Sequence, residues 1–189
     1  MATTVADNLK MHRFSVDDYY RMQQAGILDE DDHVELIDGR IVEVPPVGPT
    51  HAGMVKLLNR HFGALEPEVI IAVQDPLHLD RHNEPEPDLM LLRPRDDFYR
   101  ERHPTASDAF LLIEVADTTL KKDLEVKAPL YAMHGVTEYW VVDLEGFRVV
   151  VHREPRGGMF KDVRDAAGAT SVSPQAFAGH TLDLSKLFL

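Results

Sequence analysis

Three side chains in this sequence carry charge where charge is costly or usefully placed. Glu114 sits inside Leu111-Leu112-Ile113-Glu114-Val115-Ala116. A run this apolar reads as a strand buried on both faces. An unpaired carboxylate there costs several kcal/mol, so Glu114 needs a partner, a metal or an opening to water. Asp88 opens a second apolar run, Asp88-Leu89-Met90-Leu91-Leu92, behind the lead-in Glu84-Pro85-Glu86-Pro87. Two carboxylates converging from neighbouring strands, with backbone carbonyl and water, suit a hard cation such as Mg²⁺. Taken alone, Asp88 reads equally as a loop-to-strand residue making a turn hydrogen bond. Lys127 is the third. If residues 123–134 are helical, Asp123, Lys127 and Tyr131 share one face. A lysine there could polarise an attacking water or neutralise charge on a phosphate. The plainer reading is a surface ion pair between Asp123 and Lys127, worth a few tenths of a kcal/mol. Glu35, ahead of Asp38-Gly39, is either a further carboxylate near the site or a half-exposed strand residue.

The elements that must hold these groups follow from pattern. Ser15 with Asp18 three residues on predicts a capped helix over residues 14–22. Asp38-Gly39 between apolar runs is a hairpin signal. Val55, Leu58, Phe62 and Leu65 form one stripe of a helix over 50–65, with Thr50 as its N-cap. Residues 69–73, 76–79, 88–92 and 110–115 read as strands, and 93–108 as a charged loop with a short helical turn. In the helix 123–134, Pro129 must kink the chain or sit near its start, and Gly135 ends it. Tyr139–Asp143 and Phe147–His152 read as a second hairpin, apolar enough to serve as a contact between copies. Residues 155–189 read as weak strands and a short terminal helix. Strands and helices in this order predict an α+β (mixed α/β) fold, a sheet flanked by helices. The 189 residues predict one domain over 11–189 behind a flexible tail at 1–10.

Composition removes several classes of function. There is no cysteine, which excludes a disulfide scaffold, a thiolate zinc site and a cysteine nucleophile. The N-terminus lacks the apolar segment of a signal peptide, and no apolar run approaches the length of a membrane span. A cytoplasmic protein without membrane attachment is expected. The ten histidines form no cluster with metal-ligand spacing; His51 and His61, on one predicted helix, read as surface or cap residues. No glycine-rich phosphate loop or nucleophile elbow is present. The net charge of −12 argues against a broad basic face for duplex DNA, although a basic groove or metal-binding carboxylates are compatible with it.

Pro87-Asp88, followed by Glu114 in an apolar strand, resembles the PD-(D/E)XK nuclease superfamily. Five blocks in order resemble the Uma-two family of restriction-endonuclease-like proteins: residues 34–42, 86–89, 113–119, 123–127 and 135–143. The resemblance spans about residues 14–153, with weaker similarity to the end. It implies a restriction-endonuclease-like core, a central mixed sheet with flanking helices. It implies that Asp88 and Glu114 bind Mg²⁺ or Mn²⁺, with Glu35 and Asp123 in support. The superfamily pattern places a lysine two residues after the glutamate, where this chain has Ala116. The resemblance assigns that lysine to Lys127 on the following helix. The implied activity is metal-dependent endonucleolytic cleavage of nucleic acid, DNA foremost, by a homodimer when both strands of a duplex are cut. Two rivals remain open: cleavage of structured RNA or a small phosphodiester, and an inactive nuclease-fold module that binds nucleic acid or protein.

Overall fold

The apolar runs of the sequence become the inner strands of a six-stranded sheet. The computed structural model describes residues 11–29, 31–168 and 170–188; the expected tail at 1–10 lies outside the described residues. The chain folds as two compact units. One comprises the chain up to Pro46 together with Leu79–Pro85, the other Val47–His78 together with Glu86–Leu189.

The first unit holds helix α1 (Val16–Gln24) and the hairpin of β1 (Val34–Ile37) and β2 (Arg40–Glu43). The expected capping box closes α1: the Asp18 amide donates to Ser15 Oγ at 3.2 Å, and the Ser15 amide donates to Asp18 Oδ2 at 3.0 Å. Asp38 and Gly39 turn the hairpin with φ of 52° and 68°, the paired left-handed residues that a type I′ turn requires. Gly39 is also needed for space, since a Cβ there would stand 2.6 Å from that of Arg13. The Asp38 amide donates to Asn83 Oδ1 at 2.7 Å, which ties Leu79–Pro85 to the turn. Val16, Tyr19 and Leu36 form the unit's small core.

In the second unit the strands lie in the order β3 (Ile70–Ala72), β4 (Leu89–Leu92), β5 (Ala109–Ala116), β6 (Glu138–Asp143), β7 (Arg148–Arg156) and β8 (Met159–Ala167). All neighbours are antiparallel except β5 and β6, so the sheet is mixed. The parallel pair needs a crossover, and the chain between them supplies it as α3 (Leu120–Lys122), a π-helical turn (Asp123–Lys127) and α4 (Ala128–Met133). Helix α2 (Pro49–Phe62) is capped by Gly48 and not by Thr50, with Pro49 pre-set for the first turn. It buries Met54, Val55, Leu58 and Phe62 against Leu89, Leu111, Ile113, Trp140 and Val151. Helix α4 meets the sheet through Tyr131, whose ring lies edge-on to Tyr139 at 4.9 Å.

Two further expectations are revised. Residues 76–79 form no strand; His78 makes a single bridge to Thr105. The 139–152 hairpin offers no edge to a second copy, because β6 lies between β5 and β7 and β7 between β6 and β8. The strands and short terminal helix expected within 155–189 are present, and one of the strands, β8, is nine residues long, turned from β7 by Gly157 and Gly158 with φ of 61° and 73°. As an edge strand it has little to bury, so it lacks the apolar run that marks an inner strand. A small pair, β9 (Ser171–Val172) and β10 (Leu182–Asp183), and the terminal helix α5 (Leu184–Leu187) complete the unit.

Two outcomes follow from this packing. Gly39→Ala should lower the unfolding free energy by more than about 1 kcal/mol. Gly53→Ala, in the open on α2, should raise it by roughly 0.5–1 kcal/mol. Urea titration of both variants checks the contrast. Burial holds the imidazoles of His61 and His152 below the ordinary histidine value of 6.5. The unfolded chain then binds more protons, so stability is full above that value and declines as pH falls below it. His152→Leu should flatten the decline measured between about pH 7 and pH 5.

Candidate active site

Antiparallel pairing of Leu89 with Ile113 brings Asp88, the residue just ahead of β4, to the level of Glu114 on β5. Both are nearly inaccessible, at 8% and 4% exposure. Asp88 is held from three sides. Its Oδ2 accepts the Val115 amide at 2.8 Å and lies 3.0 Å from His51 Nε2. Its Oδ1 accepts Gln74 Nε2 at 3.4 Å. His51 comes from the first turn of α2, and Gln74 from the residues after β3, where its φ of 55° is a left-handed conformation uncommon outside glycine. The hydrogen bond to Asp88 raises the His51 pKa, against the opposing effect of burial, and Asp117 and Asp123 add to the rise. Among the described residues the buried His51 Nδ1 has no hydrogen-bond partner.

Glu114 is met by the crossover. Lys127 Nζ donates to Glu114 Oε1 at 2.8 Å, and the Tyr131 hydroxyl donates to the same oxygen at 3.0 Å. The Lys127 side chain is 4% exposed, which removes the surface ion-pair reading. Local winding explains how it gets there. Pro129 has no amide to continue an α-helical ladder, and the Ala128 amide reaches back five residues to the Asp123 carbonyl. The result is a π-turn ahead of α4, with Pro129 in the first turn of the new helix. Asp123 is buried beside this turn. Burial raises its carboxyl pKa, while Lys127 and the Thr119 hydroxyl, donating at 2.6 Å, oppose the rise.

The second unit therefore brings together Asp88, Glu114, Lys127 and Asp123. Glu35 belongs to the first unit, on β1 opposite Val42, and its 2% exposure removes the half-exposed reading. Ala116, where the superfamily pattern has lysine, is buried on β5. His51 and Gln74 were not expected. A histidine just behind Pro49-Thr50 was the available signal, but nothing local tells which strand end it meets.

The donors fit a hard divalent cation. Asp88, just ahead of β4, and Glu114, on β5, offer carboxylate oxygens, and the Asp88 Oδ1 bond to Gln74 is long enough to yield to a stronger partner. Among the described residues no three histidine or acidic side chains form a ready-made cage. A cation of the Mg²⁺ kind needs none, since it is held through one or two carboxylates, water and phosphate oxygens.

The family model for Uma2, described as "Putative restriction endonuclease", matches residues 16–185, and the chain belongs to this family. Among solved structures the chain is similar to a "putative nuclease belonging to DUF820" from Anabaena variabilis, with a TM-score of 0.72 over 93% of this chain and 97% of that one. At 16% identity this likeness shows the fold. No curated protein matches the chain. Family and fold together point to a restriction-endonuclease-like nuclease, a kind of enzyme that generally uses divalent metal and acts on nucleic acid. Among the described residues no helix is long and apolar enough to cross a membrane.

The geometry makes Lys127 and Glu114 interdependent. Lys127→Met should lower the unfolding free energy by about 3–5 kcal/mol, because it leaves a buried carboxylate without its cation. Combining it with Glu114→Leu should recover most of the loss, as read by urea denaturation of both variants.

Proposed function

We propose that this Uma2-family chain hydrolyses phosphodiester bonds of nucleic acid, DNA foremost, with Mg²⁺ or Mn²⁺ held by Asp88 and Glu114. The carrying observation is the two buried carboxylates at the adjoining ends of β4 and β5, Asp88 and Glu114, with the Lys127 ammonium 2.8 Å from Glu114 Oε1. When bound, the cation acidifies a water and shields charge on the phosphate. The chain's own residues do the rest. The Val115 amide, Gln74 and His51 fix the orientation of Asp88. Lys127 and Tyr131 fix Glu114 from the opposite side. The Lys127 ammonium is also positioned to stabilise negative charge developing on a phosphate or to orient the attacking water. Asp123, buried next to Lys127 in the chain winding, supports that placement. Cutting both strands of a duplex takes two such sites and hence two copies of the chain.

The net charge of −12 favours the rival reading, an inactive module of the same fold. Supercoiled plasmid with Mg²⁺ or Mn²⁺ decides between them. Wild type should nick or linearise the plasmid, and Asp88→Asn and Glu114→Gln, at matched folded concentration, should lose cleavage by at least about a hundredfold. Absence of cleavage by wild type on DNA, RNA and small phosphodiesters would overturn the proposal, as would cleavage by both variants equal to that of wild type.

A further inference from the structure

Strand β8 is the outer strand of the six-stranded sheet and pairs with β7 alone. Its closing pair, Arg156 with Met159 across a two-residue turn, shares the narrow hydrogen-bonded pairing of such hairpins. The ladder lapses at Glu154 and Lys161 and then runs unbroken from Asp162 to Ala167, a stretch along which alternate residues turn their backbone groups away from β7. Charged edge strands ordinarily deter pairing. Here the charges are arranged symmetrically about Val163, reading Lys161, Asp162, Val163, Arg164, Asp165.

We infer that β8 is a self-complementary docking edge, on which a second copy of this chain pairs antiparallel with its two-fold axis at Val163. In that register Asp162 faces Arg164 of the other copy, and Lys161 faces its Asp165. Asp162 and Arg164 already share one face, with Arg164 Nε 2.7 Å from Asp162 Oδ1, so two copies form an alternating ring of four charges. On the other face the two Val163 side chains meet; each is 52% exposed in the single chain. Shifting the axis by one residue sets Asp162 against Asp162 or Arg164 against Arg164, and like charges opposite one another destabilise a strand pair. The edge therefore admits this register and opposes its neighbours. It supplies the two copies that the nuclease reading calls for, but it rests on the edge alone and not on the carboxylate site.

Sedimentation of the full chain tests it. Wild type should be a dimer. Arg164→Asp and Asp162→Arg should each weaken association by at least about tenfold, because symmetry makes every swap count twice. An equimolar mixture of the two should re-form a dimer, since one edge is now acidic at both positions and the other basic. The double variant Asp162→Arg/Arg164→Asp should dimerise by itself. Circular dichroism checks that every variant stays folded, as the swapped side chains lie on the sheet edge. Monomeric wild type, single variants that stay dimeric, or a mixture that does not associate would each overturn the inference. Mass is read without cleavage, so a dimer lacking nuclease activity defeats the catalytic proposal alone, and a monomer that nicks plasmid defeats the docking proposal alone.

Discussion

The ion pair between Lys127 and Glu114 is the constraint around which the second unit is organised. A carboxylate in the middle of β5 gives up water on both sides, and the desolvation cost is recovered only with excellent geometry and further hydrogen bonds. Both conditions are met by one segment. The crossover that must join the parallel strands β5 and β6 delivers the Lys127 ammonium and the Tyr131 hydroxyl to the same oxygen. A connection required by topology thus also serves as the counter-charge, and the strand can remain apolar elsewhere. The cost is inflexibility, because neither partner of such a pair can be lost singly without stranding the other.

Around that pair the field is uneven. Lys127 balances Glu114, while Asp88, Asp117 and Asp123 lie close enough to shift the charge of His51 upward. The local surplus is negative, as is the chain as a whole. Such a field attracts divalent cations before it attracts a polyanion. Under the proposed nuclease reading it would place the burden of phosphate binding on a metal and on individually placed cations, not on a broad basic surface. The anionic composition and a phosphodiester substrate are compatible on these terms.

What could be read from the residues depended on whether the determining contact was local. Asp38-Gly39 and the Ser15–Asp18 box are decided within a few residues, and both form as their chemistry dictates. Glu114 announced itself because a charge in a buried run is costly wherever the run ends up. Lys127 and Asp123 were placed on one side of a helix by a four-residue spacing, which is close to one turn in an α- or a π-winding alike. The winding itself was not legible, since Pro129 allowed either a kink or a helix start. His51 and Gln74 reach Asp88 from remote segments and carry no local mark of it. β8 was legible only as a weak strand because an edge strand is polar by necessity, and its turn signal, Gly157-Gly158, stands in a polar stretch.

The π-turn at Asp123–Lys127 holds one residue more than an α-helical turn would. Deleting one residue there would close the winding to an α-helical turn and leave the segments before and after it in nearly the same phase. Lys127 and Tyr131 would still face Glu114, with no side chain altered. The turn thus takes up one residue of chain length without moving the site's counter-charge. Homologues compared position by position would misplace the lysine by one column if the gap fell on the wrong side of this turn, and an intact site would look degenerate.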